Sequence, residues 1–170
     1  MDKYQSINFK TLQENAAQLI GNEWMLLTAG NPQSFNTMTA SWGGLGHLWH
    51  KDVAFIFVRP QRYTFEFAER ENLFTLSFFE ENFRKALQIC GSKSGRDSNK
   101  VQEAGLTPIP TSSGSVSFAE ARLILECRKL YADRLKPNAF LDKSIIEKEY
   151  PSADFHKMYV GEILACYLNK

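Results

Sequence analysis

This chain predicts a mainly β fold, an antiparallel barrel with a few α additions. Two observations lead there. Most of its apolar periodic segments read as strands, the last two of them long. The helical segments are short and inserted between strands, as expected for strands packed mainly against one another.

Taken in order, Phe9 to Ile20 carries Leu12, Ala16, Leu19 and Ile20 at helical spacing, with Gly21 as a stop. Glu23 to Gly30 follows as a strand, and Asn31-Pro32 turns the chain. Asn36 to Trp42 is an unusual strand of small, hydroxylated residues, which Gly43, Gly44 and Gly46 are expected to break. Val53 to Val58 is apolar on both faces and reads as a central strand. Pro60 to Arg70 reads as a helix with proline near its first position. Leu73 to Phe79 is again a strand. Glu80 to Cys90 is a helix with acidic residues at its start, an apolar stripe of Phe83, Ala86, Leu87 and Cys90, and Gly91 as its close.

Asp97 to Ala104 reads as a short helix capped by Ser94 or Asp97 and stopped by Gly105. Thr107 to Ser115, rich in Pro and Ser, reads as a surface loop. Ala121 to Tyr131 and Lys157 to Leu168 are the two long strands, with a looser region around Pro137, Asp142 and Pro151 between them. No repeat, linker or low-complexity tail interrupts residues 1–170, so a single domain is expected.

Composition narrows the function classes. At 170 residues the chain is long enough to bury about two-thirds of its surface. Its 44% hydrophobic and 13% aromatic content suits a packed core. A net charge of +1 offers no basic field for nucleic acid or an anionic membrane. No apolar run approaches the roughly 20 residues a membrane helix needs, and the first residues lack a secretion-signal pattern. Cys90, Cys127 and Cys166 are widely spaced and form no metal or redox motif. Buried free thiols in a reducing cytoplasm are expected.

The strand Asn36 to Trp42 is the first candidate site. A period of two puts the hydroxyls of Thr37, Thr39 and Ser41 on one face and Met38, Ala40 and Trp42 on the other. Small residues let a flat ligand approach the backbone N–H and C=O groups. The same residues also suit a glycine-rich strand end in which threonine serves β-propensity.

Two basic segments are candidate anion sites. Arg59-Pro-Gln-Arg-Tyr-Thr64 joins a strand to a helix start, where free N–H groups and roughly half a positive charge favour phosphate. Arg59 and Arg62 add guanidinium forks and Thr64 a hydroxyl, although the arginines would equally pair with carboxylates such as Glu66. Gly91-Ser-Lys-Ser-Gly-Arg-Asp97 supplies Lys93 and Arg96, but its spacing is not that of a P-loop. His47, His50 and His156 lack the acidic neighbours and spacing of a metal site, and no nucleophile–base pairing stands out. A chain so poor in catalytic side chains suits an enzyme whose chemistry resides in a cofactor.

Five segments together, Asn36-Thr-Met-Thr-Ala-Ser-Trp-Gly-Gly, Arg59-Pro-Gln-Arg-Tyr-Thr, Phe74-Thr-Leu-Ser-Phe-Phe, Ser94-Gly-Arg-Asp and Asp154-Phe-His-Lys-Met-Tyr-Val-Gly-Glu-Ile, resemble the flavin reductase-like FMN-binding family. The resemblance runs from about Trp24 to Leu168. It implies a split barrel, a Greek-key antiparallel barrel with inserted helices, and a homodimer with FMN at or near the interface. By similarity, Thr37, Met38, Thr39, Ala40, Ser41 and Trp42 would line the flavin ring. Arg59, Arg62, Tyr63 and Thr64 would hold phosphate and ribityl, with Lys93, Ser94 and Arg96 closing over them. Ser77, Phe78 and Phe79 fall where the family's next strand nears the cofactor, and His156 matches a histidine near the open flavin face. A local structural hydrogen bond at the strand start is the other reading of His156. The implied activity is hydride transfer from NAD(P)H to flavin. The alternatives are a flavoredoxin-type electron carrier reduced by a partner protein and a non-catalytic flavin-binding module. No Gly-x-Gly-x-x-Gly dinucleotide fingerprint is present.

Overall fold

A computed structural model describes residues 3–169. Ten strands run in the order β1 (Tyr4–Ile7), β2 (Met25–Asn31), β3 (Ser34–Ala40), β4 (Gly43–Leu48), β5 (Lys51–Val58), β6 (Leu73–Phe78), β7 (Pro108–Pro110), β8 (Val116–Phe118), β9 (Leu123–Arg134) and β10 (Lys157–Asn169). The α-helices are α1 (Tyr63–Arg70), α2 (Arg84–Ser92), α3 (Lys100–Glu103) and α4 (Ser144–Glu149).

Eight strands form one sheet in the order β3-β2-β6-β9-β10-β5-β4, with β1 pairing the C-terminal half of β10. Every pairing in it is antiparallel. Its two edges, β3 and β4, are consecutive in the chain and joined only by Ser41-Trp42. A link that short spans at most about 11 Å between Ala40 and Gly43, so the edges must converge there without pairing. The sheet is therefore a barrel split along one seam.

Strand alternation sorts the side chains. Met25, Leu27, Ala29, Met38, Ala40, Ala54, Ile56, Val58, Phe74, Leu76 and Phe78 fill the interior with Tyr159. A second cluster, including Leu26, Leu87, Cys90, Phe118 and Ile124, lies between the outer face of the sheet and α2 with the β7–β8 hairpin. Cys90, Cys127 and Cys166 are buried free thiols, as expected.

Five local expectations give way to tertiary or side-chain effects. The helix expected over residues 9–20 is instead a 3₁₀ turn, Phe9–Thr11, and a π-helical turn, Gln18–Glu23, which runs through Gly21. The Asn15 side chain accepts from the N–H groups of Ala17 and Gln18, so it starts a new turn where a continuous helix would need its backbone. Gly43, Gly44 and Gly46 do not break a strand but form β4, and the break falls at Ser41-Trp42. Glycine is needed there because a Cβ at Gly43 would meet the Phe55 carbonyl oxygen at 2.8 Å. Helix α1 begins at Tyr63, so Pro60 lies in the preceding turn, and α3 is capped by Asn99, not by Ser94 or Asp97. Thr107 to Ser115 is part of the β7–β8 hairpin, whose tip folds around the fully buried Glu126. That carboxylate accepts from Thr111 Oγ1, Ser112 Oγ and Ser113 N, which offsets the cost of burying it. No helix among the described residues is long and apolar enough to cross a membrane.

Candidate functional site

A cavity of about 640 Å³ opens where the sheet edges meet. Met38, Thr39 and Ala40 of β3 line it with the link Ser41-Trp42, and Phe57 and Arg59 from the end of β5 form the opposite wall. Leu87, Gln88, Gly91 and Ser92 of α2, together with Trp24, Arg62 and His156, complete it. As an edge strand, β3 turns half of its backbone N–H and C=O groups away from β2. The wall thus combines apolar surfaces with peptide groups outside the sheet ladder.

The hydroxyl face of β3 exists as expected, but it serves packing. Thr37 is fully buried, with its hydroxyl bonded to Thr28 Oγ1 at 2.9 Å and to the Leu27 carbonyl. Thr39 Oγ1 donates to the Leu87 carbonyl at 2.5 Å and so seats α2 on the strand. Thr39 and Ser41 line the cavity, whereas Thr37 does not.

The expected anion ligands divide in the same way. Arg59 is committed within the protein: it donates to Asp154 Oδ2 at 2.5 Å and to the Glu149 carbonyl at 2.9 Å, with its guanidinium over the Tyr150 ring. Arg62 is half-buried at the cavity and makes one protein contact, from Nη2 to the Gly91 carbonyl at 2.8 Å. Tyr63 lies outside the cavity, stacked under Arg96, and Thr64 is buried with its hydroxyl accepting from Asn36 Nδ2 at 2.7 Å. Lys93 pairs with Glu103, and Glu66, the carboxylate offered from sequence to Arg59 or Arg62, pairs with Arg96 instead, while Ser94 Oγ accepts from the Arg96 N–H. None of Lys93, Ser94 and Arg96 lines the cavity; Gly91 and Ser92 do. Ser77 bonds Ser117 through their hydroxyls, Phe78 fills the barrel and Phe79 the second cluster, all away from the cavity.

Sequence reasoning missed Lys100, which is 4% exposed and donates from Nζ to the carbonyls of Cys90 and Lys93, both at 3.1 Å. It neutralises the carbonyl-rich end of α2, a favourable place for a cation. Burial, opposed by Cys90 and aided by the nearby Arg62 charge, lowers its pKa to about 8. Arg62 is in turn lowered, first by burial and then by Arg59. Of the two arginines at the cavity wall, Arg59 is paired with Asp154, whereas Arg62 meets only the neutral Gly91 carbonyl among the described residues. Phe57 was legible as the outward partner of Arg59 at a period of two, and Gln88 as the i+3 neighbour of Gly91; Trp24, at φ 69°, had no sequence signal.

His156 is buried, with its ring 5.0 Å from that of Trp42 and Nδ1 2.9 Å from the Tyr150 hydroxyl. Burial, then Arg59, pushes its pKa down to about 4 against the opposing pull of Asp154, so the ring is neutral at neutral pH.

Three comparisons place the chain among known proteins. The family model described as "Flavin reductase like domain" matches residues 18–170. No curated protein matches the chain at a significant level. Among solved structures, an FMN-binding domain of a flavin reductases-like enzyme from Shewanella baltica OS155 superposes with a TM-score of 0.69 at 15% identity, over 98% of this chain and 77% of that one. Flavoredoxin of Desulfovibrio vulgaris (Miyazaki F) gives 0.68 at 18% identity, over 98% and 76%. An NADH:FAD oxidoreductase from Streptomyces globisporus C-1027, in complex with NAD and FAD fragments, gives 0.63 at 16% identity, over 85% and 73%. At these identities the likeness concerns the fold.

Proposed function

The chain belongs to the flavin reductase-like domain family, and from that membership we propose that it binds FMN in the seam cavity and reduces it with NAD(P)H. The observation that carries the reading is Arg62, half-buried at a cavity with apolar walls and hydrogen-bonded, among the described residues, to the Gly91 carbonyl alone. A phosphate of about two negative charges gives that guanidinium an ionic partner, and a flat amphipathic ring suits walls of Met38, Trp42 and Phe57. The volume lies within the roughly 300–1,000 Å³ usual for small-molecule sites. These residues fit the cofactor.

When bound, FMN supplies the two-electron chemistry, so no side-chain nucleophile is needed. The free edge of β3 offers fixed backbone donors at Met38 to Trp42, already oriented by the barrel, to hold the ring and its growing negative charge. Arg62 holds the phosphate, with Lys100 behind it keeping the end of α2 in place. The apolar walls exclude water from the space over the ring.

A flavoredoxin-type carrier, reduced by a partner protein, is the second reading, favoured by the likeness to the Desulfovibrio vulgaris flavoredoxin. One experiment separates the readings. Purified protein is expected to be yellow with flavin absorption, bleached anaerobically by NADH or NADPH. Bleaching by dithionite alone selects the carrier, and colourless protein without a thermal shift on adding FMN defeats both.

We also propose a homodimer. Trp49 and Tyr131, edge to face with centroids 6.3 Å apart, remain exposed together with Leu164, and such apolar surface suits an interface. Sedimentation equilibrium is expected to return twice the chain mass at micromolar concentration; a monomer there removes the claim.

A further inference from the structure

In the segment between β9 and β10, Tyr150 is hydrogen-bonded to the cavity-lining His156. Tyr150 is 5% exposed, and its ring is enclosed by Phe140, Phe155 and the Arg59 guanidinium. Among the described residues its hydroxyl has a single polar partner, His156 Nδ1 at 2.9 Å. His156 Nε2 has no protein partner, yet it is not among the enclosed unpartnered atoms, which are Ser98 Oγ and Asp154 Oδ1. The ring lines the cavity, so Nε2 reaches solvent there.

Two proton arrangements are possible for a neutral ring, and they are not equivalent. With the proton on Nδ1, that N–H donates to the tyrosine oxygen, and the buried tyrosine proton is left without an acceptor, which costs its desolvation. With the proton on Nε2, Tyr150 donates to Nδ1 and both buried groups are satisfied.

We propose that Tyr150 is a positioning residue that locks His156 as the Nε2–H tautomer, making it an uncharged hydrogen-bond donor into the cavity. Its target is an acceptor atom, a carbonyl oxygen or ring nitrogen, of whatever occupies the space beside Trp42. The charged groups facing the imidazole are Arg59, from the end of β5, and Asp154, on its own segment; Arg62 lines the same cavity, and Trp42 from the β3–β4 link is neutral. Arg59 opposes a proton on the ring, and Asp154, already bonded to Arg59 and Gln61, offsets this only in part. The donor therefore keeps its form across the physiological pH range. Its role toward a ligand rests on the flavin reading, whereas the tautomer itself does not.

The test uses the full-length protein labelled with ¹⁵N-histidine, with and without FMN. Two-bond ¹H–¹⁵N correlations are expected to show His156 as the Nε2–H tautomer, unchanged from pH 8 to pH 5.5. In Tyr150→Phe, which keeps the enclosed ring, both tautomers are expected, with the titration midpoint rising by about one unit or more toward the ordinary histidine value. FMN reduction in that variant is expected to acquire a pH dependence near pH 5 that the parent lacks. An Nδ1–H ring in the parent protein, or a tautomer and midpoint unmoved by Tyr150→Phe, overturns the proposal. Protein that shows the Nε2–H tautomer but binds no flavin upholds the tautomer and defeats the flavin reading instead.

Discussion

Arg62→Ala is expected to weaken FMN binding by about ten- to a hundredfold while leaving riboflavin binding unchanged. A charge-assisted contact of this kind is worth about 1.5–3 kcal/mol, and only FMN carries the phosphate that makes it. Arg62 is the arginine to choose because most of its guanidinium is uncommitted: one nitrogen meets the Gly91 carbonyl, and the group lies half-buried beside Arg59. Arg59 looks equivalent in the sequence, yet Asp154 and Glu149 already occupy it. Arg59→Ala is therefore expected to loosen the segment around Tyr150 more than it costs phosphate affinity. Isothermal titration with both flavins decides the matter. An equal loss for riboflavin and FMN would mean that Arg62 acts by holding Gly91, and the phosphate assignment would fail.

Gly161→Ala is expected to destabilise the fold by about 1–3 kcal/mol, lowering the melting temperature by roughly 2–12 °C. Gly161 lies in β10 at a register shift against β9, where a Cβ would come 2.5 Å from Phe74 Cε1 and Cζ and 3.2 Å from Cys127 Cβ. Phe74 is 1% exposed within the barrel, so its ring has no free space to retreat into. A thermal melt of the variant against the parent reads the effect directly, and an unchanged melting temperature would show that the barrel relaxes around the added methyl. Gly161→Ser is expected to cost at least as much, since it adds a buried hydroxyl to the same collision.

The two predictions differ in how far the sequence leads toward them. The arginine cluster, the small-residue strand and the long terminal strands stand out by spacing alone, because alternation and turn chemistry act over a few residues. Met38, Thr39, Ala40, Ser41, Trp42, Arg59 and Arg62 do come together around one cavity. Thr37, Tyr63, Thr64, Ser77, Phe78, Phe79, Lys93, Ser94 and Arg96 do not line it, and nothing local distinguishes them from those that do. Thr37 and Thr39 share a face of one strand, but only the tertiary partner of each decides its task. Thr28 takes one hydroxyl into the core, and the Leu87 carbonyl takes the other to the cavity rim. Lys100 is an extreme case: a lysine in a polar run reads as solvated surface, yet it is buried under the end of α2.

By itself, then, the order of residues determined the strand-rich class, the family likeness and a short list of cations, since each depends on neighbours within one or two turns of chain. Which cation remains available, which hydroxyl faces the cavity and where the barrel splits were decided by the fold. Arg59 finds its carboxylate 95 residues away and Arg62 its carbonyl 29 residues away, and the seam forms because both sheet edges converge on Ser41-Trp42. The physical reason is that a buried charge or hydroxyl must be satisfied by whatever the fold brings within about 3 Å, and that partner is not encoded in its local context.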